Sequence, residues 1–288
     1  MFGGGFLSGG NGVLWANGGT LDFAGGVPVE MGSGFSALAA ALIVGARKDY
    51  GRLALLPHNT IYVLLGAGIL WFGWFGFNGG SGIGTNNASV LAFANTLLTP
   101  ACTLVTWFLL DYMRGRRITA VGAATAIIVG CVGITPAGAY ISPAWAMLLG
   151  VLVTFPCYWV VVWRPRTRVD ETLDVLAVHG IAGFIGILFI GFAAQLAWND
   201  LADGLFYGET DLLGDQVLAA IVAPLYAFCA TYLVLTGIKA FGGLRASEQD
   251  EAIGMDSVSH GEEAYVTGEG AILVAPEDGE RLVADPTR

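Results

Sequence analysis

Positive charge in this chain is confined to alternate connections between apolar stretches. Seven such stretches run from about residue 23 to residue 241, at roughly 23–45, 60–80, 88–110, 118–135, 143–163, 172–196 and 214–241. None of the thirteen Lys and Arg lies in the connections after the second, fourth or sixth. They follow the first (Arg47, Lys48, Arg52), the third (Arg114, Arg116, Arg117) and the fifth (Arg164, Arg166, Arg168). The remainder stand at the end of the seventh and beyond it: Lys239, Arg245, Arg281 and Arg288. Cationic loops stay in the cytoplasm during insertion, so strict alternation sets both the number of spans and their direction. The pattern predicts an all-α membrane protein of seven transmembrane helices, N-terminus outside and C-terminus cytoplasmic.

Composition agrees. With 55% hydrophobic and 12% charged side chains, the chain is too apolar for an ordinary soluble domain. A crossing helix needs about 20 apolar residues, and each predicted stretch approaches that length. The 43 glycines suit helices that pack closely in lipid. Residues 1–21, rich in Gly and Asn, read as an extracytoplasmic loop, 22–241 as the transmembrane domain and 242–288 as a cytoplasmic acidic tail. That tail holds eleven acidic residues against three basic ones, an excess that argues against nucleic acid and against anionic lipid as partners. Cys102, Cys131, Cys157 and Cys229 lie inside apolar spans without C-x-x-C spacing. They read as small hydrophobes rather than metal ligands or disulfides, and no cofactor is implied.

An internal echo links the first and sixth spans. Leu21-Asp22 opens one and Leu173-Asp174 the other. Glu30-Met-Gly-Ser-Gly34-Phe35 matches His179-Gly-Ile-Ala-Gly183-Phe184, an ionisable residue followed at +4 and +5 by Gly-Phe. Corresponding helices of an inverted repeat place transport sites near mid-membrane, although Gly-rich helices also resemble one another by chance. Ionisable side chains are costly in a bilayer, about 2.5–3.5 kcal/mol on insertion scales, so each needs a reason. Asp22 and Asp174 stand where helices begin and are expected to cap them. Glu30 and His179 lie too deep for capping. A lone buried His is more often a core residue, but a Glu and a His at equivalent repeat positions suit a proton relay. Span two ends in Trp71-Phe-Gly-Trp74-Phe-Gly-Phe77-Asn-Gly-Gly-Ser81, whose aromatics read as interface belt residues or as the π-rich rim of a cation site.

Taken together, Gly3-Gly-Gly, Leu21-Asp-Phe-Ala-Gly-Gly26, Trp71 to Ser81, Leu173-Asp-Val-Leu-Ala-Val-His-Gly180, Gly243-Leu-Arg245 and Ser259-His-Gly-Glu262 resemble the ammonium transporter (Amt/Mep/Rh) family from residue 2 to about 265. The resemblance implies a plasma-membrane homotrimer of eleven-span, inverted-repeat protomers, each with its own narrow apolar pore. Ammonium is recruited at an outer vestibule, and ammonia and a relayed proton cross past two pore histidines. Carried over by position, Ser81 is the vestibule hydroxyl, Phe77 a gating phenylalanine, Asp22 the carboxylate near the recruitment site and His179 the second pore histidine. Glu30 stands where the first pore histidine is usual, and Phe2 where the vestibule tryptophan is usual. The family's partner is a PII-type signal protein at the cytoplasmic mouth. Ammonium transport is therefore the expected function and an ammonium sensor signalling through its tail the alternative; an enzyme is not expected. Because family members carry four helices before the residues matching Gly3-Gly-Gly, the resemblance also predicts that residues 1–288 are incomplete and inactive alone.

Overall fold

The computed structural model describes residues 19–52 and 56–262, and within them every regular element is helical. Seven helices form the membrane bundle: α1 (Gly26–Val44), α2 (Thr60–Gly80), α3 (Asn87–Met113), α4 (Ala120–Ile134), α5 (Pro143–Trp163), α6 (Leu176–Ala193) and α7 (Asp211–Phe241). An eighth, α8 (Glu248–Ile253), lies in the tail. Six of the seven are long and apolar enough to cross a bilayer. The exception is α4, expected over 118–135, which has 15 residues and so spans about 22 Å. It stops where Thr135 and Pro136 turn the chain, and its second half from Val129 to Ile134 is completely enclosed.

Sequence punctuation sets the helix starts. Asn59 accepts hydrogen bonds from the N–H groups of Ile61 and Tyr62, Asn86 from Ser89 and Thr119 from Gly122, satisfying donors that a first helical turn leaves open. Pro143, which has no N–H to satisfy, follows Ser142 at the start of α5. Gly254 and Gly261 take left-handed φ values of 113° and 70° and end α8 and the short helical turn Asp256–His260 that follows it.

Glycine and proline also decide the packing. Inside α3, Pro100 cannot donate to the carbonyl of Thr96. The indole Nε1–H of Trp71, on α2, donates to that oxygen instead at 2.9 Å, so the freed acceptor is satisfied by a neighbouring helix. Opposite the proline lies Gly130 of α4, where a Cβ would sit 2.4 Å from the Cα of Pro100. Thr103 then reaches across to the Ala126 carbonyl at 2.7 Å. Helix α6 is the most enclosed and packs on α1, α4, α5 and α7. The barest are α2 and α7, with outward faces of Ile69, Phe72, Leu225 and Leu233, as expected of surfaces that meet lipid. Among the cysteines, Cys131 and Cys157 are buried and Cys229 is exposed on α7, so one of the four is not a core residue.

The basic loops converge at one end. Arg47 grips Asp170 through both Nε and Nη2, at 2.8 and 2.6 Å. Tyr50 donates to the carbonyls of Arg164 and Val169. Arg245 pairs with Glu251, and Lys239 caps the end of α1 at the Ile43 carbonyl. The first loop, the loop after α5 and the start of the tail are thus tied together.

Candidate functional site

Both α1 and α6 open with a turn wider than an α-helical one, Gly26–Met31 and Leu176–Ile181. Such π-turns are rare and recur at functional sites. Here each carries one of the two deep ionisable residues, Glu30 and His179. The helices cross in opposite directions at glycines: a Cβ on Gly34 would lie 2.2 Å from the Gly180 nitrogen, and one on Gly183 would lie 2.7 Å from the Glu30 Cβ. Backbones this close explain the +4 glycine in both halves of the echo. At the crossing, His179 Nδ1 meets Glu30 Oε2 at 2.7 Å. Glu30 is fully enclosed, whereas the His179 side chain keeps 27% of its surface. The other carboxyl oxygen, Oε1, is buried with no hydrogen-bond donor among the described residues. A carboxyl and an imidazole in direct contact form a short path for a proton, with His179 Nε2 left on the opposite side of its ring.

Asp22 is where the sequence places it. Its carboxylate accepts from Gly25 and Gly26 at Oδ1 and from Val27 at Oδ2, at 3.1, 2.7 and 2.8 Å. Gly25, at φ 102°, supplies the left-handed turn that folds these amides around it. Asp174 does not cap its helix. It sits at φ 54° just before α6 and pairs with Arg164 Nε at 2.7 Å. The cap is Glu171, whose two oxygens accept from Val175 and Leu176 at 2.8 and 3.1 Å. The reason is register. Glu30 follows Asp22 by eight residues and His179 follows Glu171 by eight, whereas the Leu-Asp echo is three residues out of step with the Glu/His pair.

Phe77 and Ser81 lie at the far end of α2, on the side of the bundle where α1 begins. Phe77 packs on Trp74 with ring centres 5.2 Å apart, and the Ser81 hydroxyl donates to the Phe77 carbonyl at 2.8 Å. Trp74 in turn donates to Thr135, whose carbonyl receives the Ala24 N–H. The aromatic run is therefore connected to the Asp22 segment through the turn after α4, without direct hydrogen bonds to Glu30 or His179. Phe2 and Gly3-Gly-Gly lie outside the described residues. Besides Glu171, sequence reasoning missed Gln216. This enclosed amide accepts from the Leu21 N–H and donates to the carbonyls of Leu21 and Ile187, fixing the approach to α1 against α6. A polar residue amid the apolar run of α7 was the available signal.

Fold and site together define a multi-pass helical membrane protein with a buried carboxyl in contact with a partly exposed imidazole where two antiparallel, similarly built helices cross. Comparison with known proteins gives the family. The model of the Ammonium Transporter Family matches residues 5–265, and the chain belongs to that family. It is 36% identical over 259 residues to an ammonium transporter of Bacillus subtilis, covering 88% of this chain and 64% of that protein. Ammonium transporter 1 of Dictyostelium discoideum is 38% identical over 262 residues, covering 88% and 56%. Among solved structures, Saccharomyces cerevisiae Mep2 superposes with a TM-score of 0.74 at 33% identity, over 79% of this chain and 53% of that one. A structure described as a sensor Amt protein gives 0.76 at 30% identity, over 86% and 64%. The chain thus spans between half and two thirds of the length of these relatives.

Proposed function

We propose that this chain carries ammonium transport across the plasma membrane, with Glu30 and His179 as the proton relay of an otherwise apolar path. The observation behind the reading is the 2.7 Å contact between Glu30 Oε2 and His179 Nδ1 at the crossing of α1 and α6. Ammonium must shed its hydration shell and its charge to enter an apolar passage, because an unpaired ion is costly there. A carboxyl–imidazole pair supplies a place where the proton leaves the nitrogen and moves on separately, while neutral ammonia follows the apolar wall. Glu30 Oε1, without a donor among the described residues, is the atom that exchanges the proton with the cargo. Asp22, Phe77 and Ser81 belong to the recruiting and gating side, with the Asp22 carboxyl held by the amides of Gly25, Gly26 and Val27 beside the entry. The homotrimer and the PII-type partner at the basic end are part of the same reading.

Substitution in the encoded protein of its own host tests this, with currents recorded from membrane vesicles after an ammonium jump. Glu30→Gln keeps size and polarity but cannot titrate, and should abolish the proton-coupled current. Glu30→His should retain it. An unchanged, pH-dependent current in Glu30→Gln would exclude Glu30 from the relay. A sensor role is the second reading, favoured by the likeness to the sensor Amt structure. It predicts signalling that survives when flux through the Glu30 variant is lost.

A further inference from the structure

Helix α7 supplies neither Glu30 nor His179, yet it holds both of the helices that do. Its first turns sit directly on α6: a Cβ on Gly191 would lie 2.8 Å from Leu213 Cδ1 and 2.9 Å from Leu213 Cα, so backbone meets backbone there. Three residues on, and therefore on the same face, Gln216 is fully enclosed. Its Oε1 accepts from the Leu21 N–H at 2.9 Å, and its Nε2 donates to the carbonyls of Leu21 at 2.8 Å and Ile187 at 3.0 Å. Both amide hydrogens and the amide oxygen are thus engaged. Leu21 is gripped through N–H and C=O together, as a residue in paired antiparallel strands would be. The Thr20 hydroxyl adds a bond to the Asp215 carbonyl at 3.2 Å.

Leu21 directly precedes Asp22, whose carboxylate holds the amides of Gly25, Gly26 and Val27 and so starts the wide turn that carries Glu30. Ile187 lies eight residues beyond His179 on α6. One side chain of α7 therefore bridges the root of the Glu30 turn and the body of the His179 helix. We propose that Gln216 is a positioning residue for proton transfer: it fixes the Asp22-capped turn against α6 and thereby sets the separation of Glu30 from His179. The inference rests on the relay reading given above. A polar residue that only glued α7 to the bundle would need a single bond to each neighbour. Gripping both polar atoms of Leu21 fixes the position and the direction of the chain that enters the turn. That precision matters at a 2.7 Å contact, because a misplacement of about 1 Å can slow a reacting pair on the order of 100-fold.

Currents from host membrane vesicles carrying the encoded protein, recorded after an ammonium jump in light and in heavy water, test it. Gln216→Met keeps the length of the side chain and removes all three bonds. It should lower the maximal current by about tenfold to 100-fold, leave the half-saturating ammonium concentration unchanged and enlarge the solvent isotope effect, because the lengthened proton step then limits the rate. Leu149→Ala, which opens a cavity in the enclosed face of α5, is the control: it should lower the melting temperature and keep the isotope effect of wild type. A Gln216→Met protein with the maximal current of wild type would overturn the proposal. So would a reduced current with an unchanged isotope effect, which is the behaviour of a structural staple. Glu30→Gln separates the two levels of the argument. If it conducts normally, the relay reading fails and this inference with it; if it is silent while Gln216→Met behaves as wild type, the positioning role alone fails. Should Gln216→Met not reach the membrane, Thr20→Val, which removes just the neighbouring bond, decides by the same isotope effect: enlarged if this clamp positions the pair, unchanged if it does not.

Discussion

Gly34→Ala is the substitution that most directly tests how the fold builds the contact between Glu30 and His179. The added methyl would lie 2.2 Å from the Gly180 nitrogen and 2.3 Å from its Cα, both backbone atoms that cannot swing aside. Ordinary separation between such atoms is about 3.5 Å, so α1 and α6 must part by about 1 Å at the crossing. Opened by that amount, the 2.7 Å contact between Glu30 and His179 passes the roughly 3.2 Å limit of a hydrogen bond. Overpacking costs about 1–3 kcal/mol, and leaving a buried hydrogen-bonding group without its partner about 1–3 kcal/mol. The variant is therefore expected to melt several degrees below wild type in detergent and, on the transport reading proposed above, to lose most of the ammonium-driven current of the encoded protein in its host. Gly76→Ala is the control, since a Cβ there meets nothing within 4 Å; it should be silent, or slightly stabilising through helix propensity. A Gly34→Ala protein that melts and conducts like wild type would refute the claim that backbone contact at this crossing sets the pair.

Glu171→Gln should destabilise the start of α6 by about 0.5–2 kcal/mol, because an amide offers one acceptor where two are used; thermal melting reads this, and a silent variant would return the cap to Asp174. Trp71→Phe strips the Thr96 carbonyl of its donor and should cost about 1–3 kcal/mol, measured in the same way, with Ile69→Ala on the exposed face of α2 as the contrasting mild change. The Arg47 guanidinium holds the Asp170 carboxyl below the usual carboxylate range. With a lowered folded pKa, the stabilisation is complete above the unfolded value near 4 and is lost as pH falls through the folded one. The melting difference between wild type and Asp170→Asn should therefore be flat from about pH 5 to 8 and shrink below about pH 4; a difference that grows on acidification would contradict the assignment.

What could be read in advance followed periodicity and charge, and what could not depended on register. Arginines in alternate loops marked the helices because insertion acts on whole segments. The Gly-Phe following Glu30 and His179 marked the two related helices because a close crossing tolerates no side chain at Gly34 or Gly183. The short α4 was harder to read, since its apolar stretch looks like any span and only Pro136, with the enclosed glycines at 130 and 133, turns it into an interior strut. Capping at α6 was misread for a more general reason. Leu173-Asp174 copies Leu21-Asp22 in letters, but a cap acts at a fixed distance from the turn it serves. The residue eight before His179 is a glutamate, so chemistry is repeated where the dipeptide is not. Asp174 is then displaced onto Arg164, in a left-handed conformation that an ion pair with that side chain holds. The consequence extends to the proposed relay. If Asp22 and Glu171 are the equivalent caps, each wide turn is anchored by a carboxylate eight residues before its ionisable side chain. The level at which Glu30 and His179 meet is then set from both ends of the bundle, so loosening either cap should shift that level before it unfolds the helix.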